Sequence, residues 1–328
     1  MTLGKRLLAL ALGVALTGLL SAAPDLRGQG KPTPATVLRL GSWNIENLGT
    51  PKSRRGPGEG VLQDPRDLAK YVRHARVDLL ALQEITADGP APAGFPRKYR
   101  TSSVLTQTFD ELNKTPGNGW KHILFPKAKA ADEHQWTGIA WKSAKVKVVG
   151  DIVQLPVSHA RSSKGYNLWD RNVHAVMFSA GPGKTDFVVL VVHLKANTIG
   201  NFAQHRYEEL KELAAKLPYL AKAFPGEKDL VILGDTNMLD GQEPGPKALA
   251  KEGFKDLNKG EVDTHTAKGV QPFDRVFVPR DQPEFARSGL EVLSEFMKRE
   301  RLSFAEFRRR FSDHYLIVTE IRVMADDD

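Results

Sequence analysis

The chain has 328 residues, a formal charge of +8, 41% hydrophobic and 8% aromatic side chains, and no cysteine. That balance excludes a disordered chain and supplies enough apolar surface for one large domain or two small ones. The absence of thiols excludes disulfides, a thiolate nucleophile and a lipid-modified cysteine anchor.

The first segment, MTLGKRLLALALGVALTGLLSAA (1–23), places Lys5 and Arg6 ahead of an apolar run from Leu7 to Leu20, followed by small residues. It reads as a secretory signal peptide; the alternative, a membrane anchor, would need an apolar run of ~20 residues to span. Residues 24–36 read as a Gly- and Pro-containing linker, and residues 37–325 as the folded body. Loss of Lys5 and Arg6 takes the charge from +8 to +6. A basic exported protein fits an anionic partner such as nucleic acid, lipid phosphate or an acidic polymer; the alternative reading of the charge is solubility alone.

VLRLGSW (37–43) alternates apolar residues and predicts a strand. QDPRDLAKYVRHAR (63–76) predicts a helix, with Asp64 as cap, Pro65 in the first turn and Leu68, Tyr71 and Val72 on one face. VDLLALQE (77–84) predicts a buried strand that ends in polar residues. WKHILF, TGIAWK and KVKVVGDIV predict short strands between Trp120 and Val153. HAVMFSA and DFVVLVVHL flank GPGKT (181–185), which reads as a hairpin turn, because Phe178 stands where a phosphate-binding loop needs glycine. NFAQHRYEELKELAAKLPYLAKAF (201–224) predicts an amphipathic helix with Leu210, Leu213, Ala214 and Leu217 on its apolar face. DLVILGDTN (229–237), FDRVFV (273–278) and HYLIVTEIRV (314–323) predict strands, and residues 290–311 a basic helix. No long-period repeat and no internal linker is visible. The order implies one mixed domain of packed sheets with helices outside.

Polar groups recur at the ends of these buried strands: Asn44, Glu84, His193, Asp235 with Asn237, Asp274, and the Asp313–His314 pair. One acid after a strand is a turn or cap residue; six occurrences beside a dry core demand partners. Carboxylates and amides suit a hard ion, Mg²⁺, Mn²⁺ or Ca²⁺, and scattered histidines without HExxH disfavour zinc. A His beside an Asp can move a proton of water. Together these are the parts of metal-assisted phosphoester hydrolysis.

SWNIENL, LQE, HLKAN, GDTN, FDR and SDHYLIV, in that order, resemble the endonuclease/exonuclease/phosphatase superfamily from about Val37 to Val323. The resemblance implies an α/β fold: a four-layered sandwich of two mainly antiparallel sheets flanked by helices, with the site at one edge. It implies that Glu84 is the principal metal ligand, with Asn44 and Asp313 near the same ion. Asp235 and Asn237 would orient the attacking water and hold the phosphate, and His193 would donate to the phosphate or leaving group. His314 would act as base or transition-state stabiliser, oriented by Asp274. Arg171 stands where nuclease members carry a phosphate-contacting arginine, Tyr166 would stack on a base or touch phosphate, and Gln135 would hold the His193 ring. Thr236 and Leu316 depart from the pattern without touching a catalytic group, and Thr86 replaces an arginine of some deoxyribonucleases, which argues against a close copy of the pancreatic type.

KRERLSFAEFRRR (298–310) reads either as a solvated helix with Leu302, Phe304 and Phe307 inward, or as a phosphate-tracking patch. The expected function is a secreted divalent-metal nuclease acting on DNA or RNA. The alternatives are a lipid or small-molecule phosphoesterase and, from another class, a silent binding domain. Nucleic acid is the expected partner, as substrate of a monomer that has no stable protein partner and no membrane span once the signal is removed.

Overall fold

The computed structural model describes residues 36–50, 63–128, 135–196, 202–259, 262–267 and 269–327. These belong to one compact unit, Ala35–Asp328. The expected signal peptide and nearly all of the expected linker lie outside the described residues.

Strand β1 (Val37–Leu48) leads through helix α1 (Pro65–Ala75) to β2 (Leu79–Ile85), which pairs parallel to it. Asp64 accepts a hydrogen bond from the Arg66 backbone N–H at 2.8 Å, so the cap stands where the sequence puts it. Helix α2 (Ser103–Asn113) follows, then β3 (Trp120–Leu124) and β4 (Trp136–Lys142). Helix α2 has no counterpart among the predicted elements. Its threonines and weak periodicity disguise it, yet Val104, Leu105, Phe109 and Leu112 are buried.

The second half begins with β5 (Lys147–Gln154), β6 (His174–Ser179) and β7 (Asp186–His193). Strands β6 and β7 form a hairpin closed over GPGKT, with Ser179 opposite Asp186. Helix α3 (Ala203–Ala223) crosses to β8 (Leu230–Asp235), again parallel to the strand before it. Helix α4 (Gly245–Lys251), β9 (Phe254–Asp256) and β10 (Asp274–Pro279) complete this half. The chain ends with β11 (Glu291–Val292), α5 (Glu295–Arg299), α6 (Phe304–Arg310) and β12 (Ile317–Arg322).

The single basic helix expected over 290–311 is therefore a short strand and two helices. Ser303 starts a new helix through a reciprocal cap with Glu306, and Arg301 just before it is left-handed. Phe307 is buried as expected, whereas Phe304 is 57% exposed.

Two six-stranded sheets result, ordered β11-β12-β1-β2-β4-β3 and β5-β6-β7-β8-β10-β9. Each is antiparallel except for its one central parallel pair. Leu40, Leu79, Ile139 and Ile317 from one sheet meet Val189, Val191, Leu233 and Val276 from the other between the layers. Helices α1, α2, α5 and α6 cover the outer face of the first sheet, and α3 and α4 that of the second. The architecture is a four-layered α/β sandwich. It explains the near-continuous apolar runs of β2, β7 and β8, which are covered on both faces.

One glycine fixes the meeting of β7 and β8. Gly234 has φ of 152°, and a Cβ there would stand 1.9 Å from the Val192 carbonyl oxygen. Gly234→Ala should therefore destabilise the fold by about 3 kcal/mol or more. The check is the midpoint of denaturant unfolding, and an unchanged midpoint would contradict the close approach.

Candidate active site

The central parallel strands of both sheets end at the same place. Beyond Asn44, β1 bulges: its register with β2 shifts between Asn44 and Leu48, and Glu46 and Asn47 have φ of 40° and 54°. Glu84 has φ of 59°, a left-handed conformation unusual for its residue type, at the break in the β2–β4 ladder. In the other sheet, His193 stands directly across from Asp235. Asn237, two residues on, is left-handed with φ of 52°, which Asn tolerates well.

Asn44 joins the two sheets. Its Nδ2 donates to Glu84 Oε1 at 3.1 Å and to Asp235 Oδ2 at 2.9 Å, while its Oδ1 accepts the Glu46 backbone N–H at 3.0 Å. Asp235 Oδ1 accepts the Asn237 backbone N–H at 2.8 Å, and Asn237 Nδ2 donates to the Leu194 carbonyl at 3.2 Å. His193 Nε2 lies 3.7 Å from Glu84 Oε1 and 3.6 Å from Asp235 Oδ2.

Asp313 and His314 do not begin β12 as expected; they precede it. Their backbone pairs instead with the loop before β10: the Tyr315 N–H donates to the Thr264 carbonyl and the Thr266 N–H to the Asp313 carbonyl, both at 2.8 Å. This places His314 Nδ1 2.8 Å from Asp274 Oδ2. The ring's other nitrogen, Nε2, lies 3.8 Å from Asp235 Oδ2 and 3.9 Å from Asp313 Oδ1. Arg275 turns away to Asp256 and to the Asp240 carbonyl, so Asp274 is left to the imidazole.

Burial, then the like charge of Asp313, pushes the Glu84 carboxyl up to about 7. Burial also raises Asp235, against the pull of His314. Burial alone would lower His314, but Asp274, Asp235 and Asp313 outweigh it and hold the imidazole well above its ordinary value. His193 is driven well below its ordinary value by burial, with Arg171 and His314 adding to the effect. One histidine thus carries a proton and its neighbour is neutral, a division of labour suited to acid–base chemistry.

The substrate-side residues are placed less uniformly. Arg171 Nη2 donates to Gln135, and Asp170 pairs with Lys195 at 2.6 Å rather than with Arg171. Gln135 does not hold the His193 ring: its amide oxygen is taken by the guanidinium, and His193 Nδ1 is buried without a hydrogen-bond partner. Tyr166 is 43% exposed, its ring against Phe202 and beneath the Lys195 ammonium, two residues beyond His193. The phosphate-tracking patch over 298–310 is largely neutralised: Arg308 pairs with Glu46, and Arg310 with Asp67.

Sequence reasoning missed three participants. Ser312 donates to the Asn44 carbonyl at 2.6 Å and accepts the His314 N–H at 3.1 Å, tying the two motifs together. Glu46 is a buried anion held by Arg308. His265 approaches Asp313 Oδ2 at 3.5 Å. Only Ser312 left a signal, as the residue flanking the Asp–His pair.

The donor set fits a hard divalent cation. The carboxylates of Glu84 and Asp235 share the Asn44 amide, and among the described residues no lysine or arginine stands at ion-pair distance from Glu84. A carboxyl that holds its proton up to about 7 gains from exchanging it for a metal ion. Asn44 presents its NH₂, not its carbonyl oxygen, to these carboxylates, which makes it a donor that gathers them rather than a ligand.

Two pH effects follow. An unfolded Glu84 titrates near 4.5 and the folded one near 7, so keeping it charged costs stability increasingly between those values and fully above them. A bound cation removes that cost. Mg²⁺ added to chelator-stripped protein should therefore raise the melting midpoint more at pH 8 than at pH 5; equal shifts would count against the site. His314 runs the same way at higher pH: its contribution is complete below about 6.5 and fades as pH climbs through its raised folded value. Asp274→Asn should bring the His314 ring titration, followed by NMR on the metal-free protein, to lower pH.

The model of the Endonuclease/Exonuclease/phosphatase family matches residues 41–314. A deoxyribonuclease of Thioalkalivibrio sp. (strain K90mix) is 25% identical over 255 residues, 74% of this chain; the chain spans 58% of that relative's length. The catalytic domain of human Nocturnin, solved with bound sulfate, superposes with a TM-score of 0.58 at 16% identity, over 88% of this chain and 95% of that one. TDP2 of D. rerio, complexed with a single-strand DNA product, gives 0.51 at 18% identity over 88% and 99%. The chain belongs to the endonuclease/exonuclease/phosphatase family, hydrolases that act on phosphoester bonds and use divalent metals.

Proposed function

We propose that this protein is an exported, Mg²⁺- or Mn²⁺-dependent nuclease that hydrolyses phosphodiester bonds of DNA or RNA. The observation that carries the hydrolase reading is the Asp274–His314 pair, joined at 2.8 Å and aimed at Asp235 within a cluster of carboxylates. The nucleic-acid reading is supported by the charge of +6 that remains of the +8 without Lys5 and Arg6, the deoxyribonuclease relative and the structural neighbour that holds a DNA product. Export is supported by Lys5, Arg6 and the apolar run behind them.

Glu84, Asp313 and Asp235 would hold the ion, which supplies electrostatic stabilisation of charge on the phosphate. Asp235 is fixed by Asn44 and Asn237 and receives the proton of the attacking water. His314, already protonated, donates from Nε2 to the phosphoryl oxygen and stabilises its developing charge. Neutral His193 offers its Nε2–H to the same group, and Arg171 adds a cation to orient it. Attack of water forms one P–O bond and breaks one P–O ester bond; the departing oxygen takes up a proton from solvent, leaving a phosphate monoester and a free hydroxyl.

One panel tests this: purified protein with plasmid DNA, RNA, sphingomyelin and bis(p-nitrophenyl) phosphate, with and without EDTA, beside His314→Ala. Nucleic acid should be cleaved, cleavage should stop with EDTA, and the substitution should cost about 10²–10⁴-fold. Cleavage of lipid alone would refute the nuclease reading. Hydrolysis of nothing would leave a binding domain and refute the enzyme.

A further inference from the structure

Two side chains from outside the strand-end motifs approach a single oxygen of Asp313. Arg308 Nη2 lies 3.4 Å and His265 Nε2 3.5 Å from its Oδ2. Its other oxygen, Oδ1, faces His314 Nε2 at 3.9 Å, with Ser312 Oγ at 3.5 Å beside it. Neither His265 nor Arg308 sits in any of the strand-end motifs. Resting on the hydrolase reading above, we infer that His265 and Arg308 are positioning residues that clamp Asp313 by Oδ2, so that Oδ1 alone is presented to the metal and the reacting phosphate.

His265 is built into its place. Its backbone bridges to His314, and its ring packs edge-on to the His314 ring at 4.8 Å and against Phe273 at 5.2 Å. His265, Asp313 and His314 also form a cluster that could hold an ion of its own. The proton assignment argues against that use. The Ala267 backbone N–H donates to His265 Nδ1 at 3.0 Å, so the neutral ring carries its proton on Nε2, the atom that faces Asp313. A ligating ring needs that nitrogen's lone pair and would turn an N–H at Nδ1 against the Ala267 N–H. His265 is therefore a donor to the carboxylate and not a ligand.

Arg308 is fixed from the opposite side. Its Nε and Nη2 donate to Glu46 at 2.9 and 2.6 Å, and Glu46 is 5% exposed in the bulge that follows Asn44. The guanidinium thus bridges two carboxylates from two motifs, one at the end of β1 and one ahead of β12. A fork of this kind fixes direction as well as distance, which a lysine cannot do.

The test is an Mn²⁺ titration followed by electron paramagnetic resonance, together with kcat and KM for bis(p-nitrophenyl) phosphate. His265→Phe keeps a packed ring and removes the donor; His265→Gln restores an N–H at similar reach. His265→Phe should weaken Mn²⁺ binding about 10-fold and lower kcat by a similar factor with KM nearly unchanged, and His265→Gln should recover most of both. Arg308→Gln should do the same as His265→Phe, with Arg308→Lys only partly active. Because Arg308 is a surface residue, that pair decides the matter if His265→Phe does not fold. The inference is overturned if His265→Phe leaves affinity and kcat as they were, if His265→Gln is no better than His265→Phe, or if His265→Phe loses one bound ion per chain. A wild type that binds Mn²⁺ but cleaves no phosphoester would refute the activity alone, and the Mn²⁺ affinities would still decide the clamp.

Discussion

The structure depends on holding carboxylates together that repel one another. Glu84 and Asp235 come from two strands and Asp313 from the segment ahead of a third, and they face one space, with Asp274 behind them. In a dry setting, such proximity is unstable without compensating donors. Asn44 supplies two from one amide, spanning Glu84 and Asp235. The His314 imidazolium answers Asp274, Asp235 and Asp313 at once. What remains uncompensated is concentrated on Glu84, whose carboxyl is pushed up to about 7.

Such a balance survives only on a rigid support. The site residues sit at strand ends or in segments pinned by backbone pairing, where neighbouring packing fixes their direction. Trp43 shows the connection between core and site: it is fully buried, packs edge-on against Tyr71 at 5.2 Å, and donates from Nε1 to the His314 carbonyl at 3.1 Å. The Tyr71 hydroxyl in turn bonds the Leu293 carbonyl and receives the Leu316 N–H. The apolar layer outside the first sheet thereby fixes the backbone that carries the catalytic pair. A disturbance of that layer reaches the imidazole without touching it.

Much of this was legible in the sequence because strand ends announce themselves. An apolar run that stops at Asn44, Glu84, His193 or Asp235 marks both the strand and the polar group at its mouth. The Asp274–His314 contact, across 40 positions, was implied by the family resemblance, since flanking a buried run marks each residue but does not pair them. Where a residue's partner is set by a loop, the sequence was mute. His265 lies in a stretch with no periodicity, and only its backbone pairing with His314 reveals its place. Gln135 was assigned to His193, but Arg171, which no spacing rule links to it, takes the amide oxygen. Arg308 looked like one charge in a basic helix, and its pairing with Glu46 depends on a bulge that no pattern shows.

The matched pattern of the two sheets has a further meaning. The series β1-α1-β2-α2-β3-β4 and β7-α3-β8-α4-β9-β10 have the same order, the same parallel pair and the same neighbours, with β12 beside β1 as β6 lies beside β7. The halves are a topological repeat although the sequence shows none. Asn44 and Glu84 stand near the ends of β1 and β2 as His193 and Asp235 close β7 and β8, with one residue's difference in register: Asn44 pairs with Gln83, whereas His193 pairs with Asp235. The contact between Asp274, which opens β10, and His314, which precedes β12, answers to that between Gln135, just before β4, and Arg171, before β6. One scaffold, used twice, carries a carboxylate–imidazole pair on one side and an amide–guanidinium pair on the other. On the proposed reading, a phosphodiester lying across such a twofold frame meets different chemistry on its two flanks, and the frame itself gives direction to a reaction whose substrate is nearly symmetric at phosphorus.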